Sequence, residues 1–378
     1  MTRRDARRFN SSLPKRVAVS LSALCLGLIA APGAAAGNTP TGARLPGPPT
    51  AHAASAPAPP PPNCAPSGSA PWGSACWRPY SSTSPFNLAV PANPALAPGS
   101  AAVVAAMTAG GPPNHLLAGP TVGHQAVYYT DPQAPVYTIH CTEPWGTCKV
   151  EGIKLHIPTR ALPAPNADHH MVVIDTQANM EYDFWQTGTL APAGGKLSIS
   201  WGGKTSLTGQ GLNSNSNAAN FGGLAGVVRA SELLAGHIDH ALVLSVKCDS
   251  GKFVWPAVQS DYACGDGSGP AMGAHLQLNL TAAEINALAV PAWKKTVLRA
   301  FATYGAFVED TGNDPWSIRF ESGQTYTSMG QANPWLTVAK TNAWSYWAPD
   351  NDYVGNVGSD VPWNRMRVIA PCVAQQAC

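Results

Sequence analysis

Eight cysteines spaced in four close couples constrain this chain more than any other feature. They are Cys64 and Cys76, Cys141 and Cys148, Cys248 and Cys264, and Cys372 and Cys378. A ninth, Cys25, lies in an apolar run from Val17 to Ala31. That run follows a basic leader (Arg3, Arg4, Arg7, Arg8, Lys15, Arg16) and precedes Ala34-Ala35-Ala36. Charge, apolar run and small residues in that order make an export signal over residues 1–36. The run is too short for a comfortable membrane span, which takes about 20 residues. An even cysteine set in an exported chain predicts disulfides, here between neighbours. The predicted location is therefore secreted, extracellular or periplasmic, with no membrane anchor. No C-x(2-4)-C pair is present, so a zinc-thiolate site is not expected.

Residues 37–62 end in Ala56-Pro57-Ala58-Pro59-Pro60-Pro61-Pro62 and cannot build a core. They read as an extended linker. Residues 63–378 show no second linker and no internal repeat, so they read as a single β-rich catalytic domain. Six of the 23 basic residues and one of the 21 acidic ones lie in the leader, so the remainder is mildly acidic. With no basic patch, a nucleic-acid partner is not expected. Charged residues make up only 12% of the chain, which suits an exported β protein.

The periodicities are mostly those of strands. Ala126 to Thr130, Val150 to Ile157, Leu197 to Trp201, Ala241 to Val246 and Lys252 to Trp255 are short β-type runs. Ala274 to Leu280 alternates, with Leu276, Leu278 and Leu280 on one face and His275, Gln277 and Asn279 on the other, as a half-buried strand does. Helical patterns occur at Gly223 to Ala235 and after Thr281-Ala-Ala-Glu284, a capping box. A further helix follows Pro291, with Trp293, Val297, Phe301 and Tyr304 along one face. The predicted fold is mostly β, a β-sandwich or jelly-roll with one or two packed helices.

Candidate chemistry gathers between Asp168 and Gln186. Two strands flank a turn at Thr176 to Asn179, and opposing residues have numbers summing to 355. Alternation then places His170, Val172, Ile174, Glu181, Asp183 and Trp185 on one face. Met171, Val173, Tyr182 and Phe184 form the other face, which is the predicted core. Two carboxylates beside an imidazole and an indole suit a sugar. The ring stacks on CH faces, carboxylates meet hydroxyls, and glycoside cleavage needs a carboxyl pair. The catalytic candidates are Asp183 first, with Glu181 or Asp310 as partner. Solvent-facing polarity on an ordinary sheet accounts for the same pattern without catalysis.

Asp310 and Asp314 lie where a strand meets a loop, with Trp316 close by, and ordinary turn chemistry also explains them. His170 and His240 would orient or bind substrate; Trp185, Trp201 and Trp316 would stack on it. His237 and His240 are too weak a pair to predict a metal, and no metal or cofactor is expected. No G-x-S-x-G, H-E-x-x-H, P-loop or G-x-G-x-x-G signature occurs, which disfavours common serine hydrolases, zincins and nucleotide enzymes. Oligomeric state is not readable.

Asp168-His-His-Met-Val-Val-Ile-Asp175, Tyr182-Asp-Phe-Trp185, Gly223-Leu-Ala-Gly-Val-Val-Arg229, His240-Ala-Leu242, Pro270-Ala-Met-Gly273 and Tyr304-Gly-Ala-Phe-Val-Glu-Asp310 together resemble a group of exported soil-bacterial proteins. The resemblance spans roughly Cys141 to Trp316 and implies secretion and a β-rich fold. The layout is also similar in style to β-sandwich glycoside hydrolases and polysaccharide lyases, an analogy of fold that does not fix function. The expected function is a secreted glycoside hydrolase acting on an extracellular polysaccharide or oligosaccharide with a pair of carboxylates. The alternatives are a polysaccharide lyase and a non-catalytic glycan-binding or cell-surface protein.

Overall fold

Burial on both faces of the Asp168–Gln186 hairpin organises the molecule. The computed structural model describes residues 76–113, 116–118, 123–214, 216–261, 263–312, 316–348 and 352–378. The leader, the linker, Cys64 and Asp314 lie outside the described residues. Everything described belongs to one compact unit.

The hairpin strands are Met171–Asp175 and Met180–Trp185. Their register pairs Met171 with Phe184, Val172 with Asp183, Val173 with Tyr182 and Ile174 with Glu181, so every pair sums to 355 as predicted. They form a four-stranded sheet with Ala126–Tyr129 and Trp201–Ser206. Val127, Val172 and Ile174 face the larger core, while Ala126, Tyr128, Met171, Val173, Tyr182 and Phe184 face a second, smaller core. The expectation of one wet face is therefore corrected. A sheet with a parallel pair, here Ala126–Tyr129 against Met171–Asp175, is normally covered on both sides.

The larger core surrounds a five-stranded sheet. In spatial order its strands are Trp316–Ile318, Leu242–Val246, Ala306–Thr311, His275–Leu278 and Met366–Ile369. The helix Ala292–Thr303 packs with it, burying Trp293, Val297 and Phe301 as its spacing predicts. The capping box forms: the Thr281 hydroxyl accepts from the Glu284 amide, and Glu284 accepts from the Thr281 amide. His275–Leu278 is buried at every position, so the half-buried reading is corrected as well.

Two further sheets have three strands each. Three of the four sheets contain a parallel pair, and a parallel pair needs a crossover connection rather than a hairpin. Among the described residues the strands thus divide among three mixed sheets and one antiparallel sheet, not the two antiparallel sheets of a sandwich or jelly-roll. Strands outnumber helices, so the mostly-β expectation holds in that coarser form.

Several local readings change. Only Lys154–His156 of the Val150–Ile157 run is strand. Lys252–Trp255 contributes a single bridge, Phe253 to Met272. The helix expected over Gly223–Ala235 is confined to Ala230–Ala235, because the glycine-rich part before it wraps the Glu181 and Asp183 carboxyls. Cysteine pairing follows the neighbour rule at Cys141–Cys148, Cys248–Cys264 and Cys372–Cys378, and Cys76 is also disulfide-bonded. Among the described residues no helix is long and apolar enough to cross a membrane.

Gly273 shows how tightly the loops are drawn in. It has φ +80°, and a Cβ there would lie 2.1 Å from the Val254 carbonyl oxygen. Its amide donates to the Val308 carbonyl at 2.8 Å, so the backbone cannot retreat without losing that bond. Gly273→Ala is expected to lower the unfolding free energy by about 1–3 kcal/mol, from overpacking. Urea unfolding of the two proteins measures this, and equal midpoints would refute the close approach.

Candidate functional site

Glu181 and Asp183 sit two residues apart on one strand, so alternation points both carboxyls the same way. The structure brings them together but buries both at 0 % exposure. The Tyr80 hydroxyl donates to Glu181 Oε2 at 2.8 Å, and the Leu224 amide donates to Oε1 at 3.0 Å. The Ser214 hydroxyl donates to Asp183 Oδ2, and the two carboxyls lie close enough to act on one another electrostatically. Gly222 and Gly223 permit this closure. A Cβ on Gly222 would lie 2.1 Å from the Tyr80 hydroxyl, and one on Gly223 would lie 2.6 Å from Asp183 Oδ1.

Burial pushes the Glu181 carboxyl well above the usual range, and the Asp183 charge adds to it. Burial pushes Asp183 up to about 6, against the neighbouring Glu181, Ser214 and Gly223, which pull it down. Glu181 therefore holds a proton beside Asp183. The expectation of Glu181 and Asp183 as a substrate-facing pair is corrected. They are a sealed acid pair, because the Gly222-Gly223 turn and Tyr80 cover the face that alternation alone would leave to solvent.

A raised carboxyl pKa means that the fold holds protons the unfolded chain has released. Stability is then fully present below about pH 4 and is lost as pH rises through about 6 for Asp183. Asp183→Asn removes one titrating proton. Its unfolding free energy should fall less steeply between pH 4 and 6 than that of the wild type, by at most about 1.4 kcal/mol per pH unit. Denaturant midpoints across that range decide it, and parallel slopes would sink the raised-carboxyl account.

A second acidic group reaches the surface. The partner register shifts between Val308 and Asp310 in the strand Ala306–Thr311, a bulge that frees Glu309 and Asp310 from strict alternation. Both carboxyls then feel Arg319, whose Nε contacts Glu309 Oε1. Burial pushes Glu309 up to about 8 and Asp310 up to about 6, and Arg319 opposes both shifts. One guanidinium also acts on Asp183. It cannot neutralise three carboxylates in a poorly hydrated interior, so protons must remain there. Asp261 and the exposed Asp168 raise Asp310 further, and the Thr311 amide donates to Asp310 at 2.8 Å.

Asp168 connects this group to an aromatic wall. Its carboxylate accepts from the Trp185 indole at 3.2 Å. Trp185 pairs with Trp201 across the sheet, and Trp145 packs on both, with ring centroids 5.5 and 5.8 Å away. His170 is buried just before the hairpin; burial and then Arg319 bring it down to about 3. Burial and Arg319 likewise lower His124 to about 4, and its ring stands edge-on to Phe320. Both imidazoles are neutral at ordinary pH.

Of the sequence candidates, Asp310, Trp185 and His170 therefore meet around Asp168 and Arg319. Trp201 is 8 % exposed and forms the back of the wall. Two others are corrected. Trp316 is fully buried, donates to the Gly111 carbonyl at 3.2 Å and packs on Trp363, because its strand lies inside the larger core. His240 bonds Glu232 at 2.9 Å and the Ala241 carbonyl at 2.8 Å, in a separate buried group with Arg229. Reading the sequence missed Arg319, His124, Tyr80, Ser214 and Trp145. Arg319 alone had a local signal, as a charge in the alternating run Trp316-Ser-Ile-Arg-Phe-Glu321. Asp168 heads the hairpin segment but was given no role. Among the described residues no group of three or more His, Cys, Asp or Glu is placed to hold a metal ion.

No family model, curated protein or solved structure matches this chain.

Proposed function

We propose that the chain is an exported glycan-cleaving hydrolase whose site is the Asp168–Asp310 edge, with Asp310 as proton donor. One observation carries this reading. Asp310, half-exposed, has a carboxyl pushed up to about 6 by burial, within electrostatic reach of the exposed Asp168 that holds the Trp185 indole. A carboxyl that burial keeps protonated beside a second carboxyl suits the acid of a glycoside-cleaving pair. Trp185 supplies the ring face for stacking, and neutral His170 is a hydrogen-bonding group rather than a charge. The signal segment and the short-range disulfides support action outside the cytoplasm.

The test incubates the protein lacking residues 1–36 with a panel of plant and bacterial polysaccharides, beside Asp310→Asn. New reducing ends that disappear in the variant support the proposal. Unsaturated uronate products would move the protein to the lyase class. Glycan binding without any product would make it a non-catalytic binder.

A further inference from the structure

We propose that Trp145 forms the outer wall of a subsite for a neutral sugar ring, held in place by the loop that the Cys141–Cys148 disulfide closes. The proposal rests on the glycan-directed reading above and adds to it a subsite and a class of sugar.

Trp145 is 44 % exposed, although it packs on two other indoles. The ring planes are tilted by 32° from Trp185 and 44° from Trp201. One part of the indole is thus seated on aromatic rings while the rest meets water. The seat is rigid. The Cys141–Cys148 disulfide closes the loop, and the Thr142 and Glu143 amides donate to the Ile199 and Ser200 carbonyls at 2.9 and 3.2 Å. Ser200 in turn donates its amide to the Trp185 carbonyl at 3.1 Å, which ties the loop to the wall. An exposed indole fixed in one orientation is a low-entropy stacking surface for the CH face of a pyranose.

The polar groups around this surface define the sugar. Asp168 holds the Trp185 indole N–H, Gln186 Oε1 accepts from the Ser200 hydroxyl at 2.6 Å, Asp168 is exposed and Glu143 is half-buried. These are carboxylates and carbonyl-type acceptors. They suit the hydroxyl donors of a neutral ring and repel a uronate.

The experiment titrates the protein with soluble neutral hexaoses built from glucose, xylose, mannose or N-acetylglucosamine, and with oligogalacturonate, following tryptophan fluorescence. At least one neutral oligosaccharide should saturate the signal. Trp145→Ala should weaken it at least tenfold, and Trp145→Phe should recover part of the loss. Trp347→Ala, which removes an indole 56 % exposed on a different sheet, should change nothing. Unchanged binding by Trp145→Ala, tighter binding of the uronate, or no neutral ligand at all would overturn the proposal. Binding that depends on Trp145 without hydrolysis would overturn only the cleavage reading. Hydrolysis with binding indifferent to Trp145 would overturn only the subsite.

Discussion

Asp310→Asn is expected to lower the hydrolysis rate by about 10²–10⁴-fold, the usual contribution of a positioned general acid. The pH profile makes the prediction specific. A proton donor works while protonated, so wild-type activity should fall as pH rises through about 6, where burial holds this carboxyl. That alkaline limb should vanish in the variant, because an amide does not titrate. Asp310 lies near the end of its strand and accepts from the following amide at 2.8 Å, so folding should change little. A loss of activity with the limb retained would assign the proton to another group. Glu309, pushed up to about 8, would be the first to examine.

Arg229→Met is expected to lower the unfolding free energy by about 3–5 kcal/mol, the cost of removing one partner from a buried ion pair. Arg229 is 1 % exposed and donates to Glu232 at 2.5 Å and to the Trp77 carbonyl at 2.8 Å. Burial alone would raise the Glu232 carboxyl. Arg229 and then His240 overcome it and hold the group down to about 2. A depressed carboxyl contributes stability above its unfolded pKa of about 4, and that contribution is lost as pH falls toward 2. The variant should therefore lose less stability than the wild type on acidification. Chemical unfolding at pH 7 and at pH 3 measures both effects. A cost below about 1 kcal/mol at pH 7 would show that His240 alone can compensate Glu232.

The hairpin divides what was legible from what was not. Its register, its turn and the shared face of Glu181 and Asp183 follow from a period of two and a short connection, both local properties. The same holds for the Thr281–Glu284 capping box, the buried stripe of the Ala292–Thr303 helix and the pairing of near-neighbour cysteines. Periodicity says which residues lie together, but it does not say what covers them. Tyr80 reaches Glu181 from 101 residues away, and Leu224 from 43. Those distant contacts turn an apparent working face into a sealed acid pair.

Asp310 was visible as a carboxyl at the end of a strand. Its importance comes from a bulge and from Arg319, neither of which has a period to read. Trp316, beside a turn-rich loop in the sequence, and His240, just before a strand, are core and ion-pair residues. By itself, the sequence determined the hairpin register, the Thr281 cap and three neighbouring cysteine pairs, because these depend on backbone geometry over a few residues. Only the tertiary structure decided which carboxyls meet water, because burial depends on segments that approach from far along the chain.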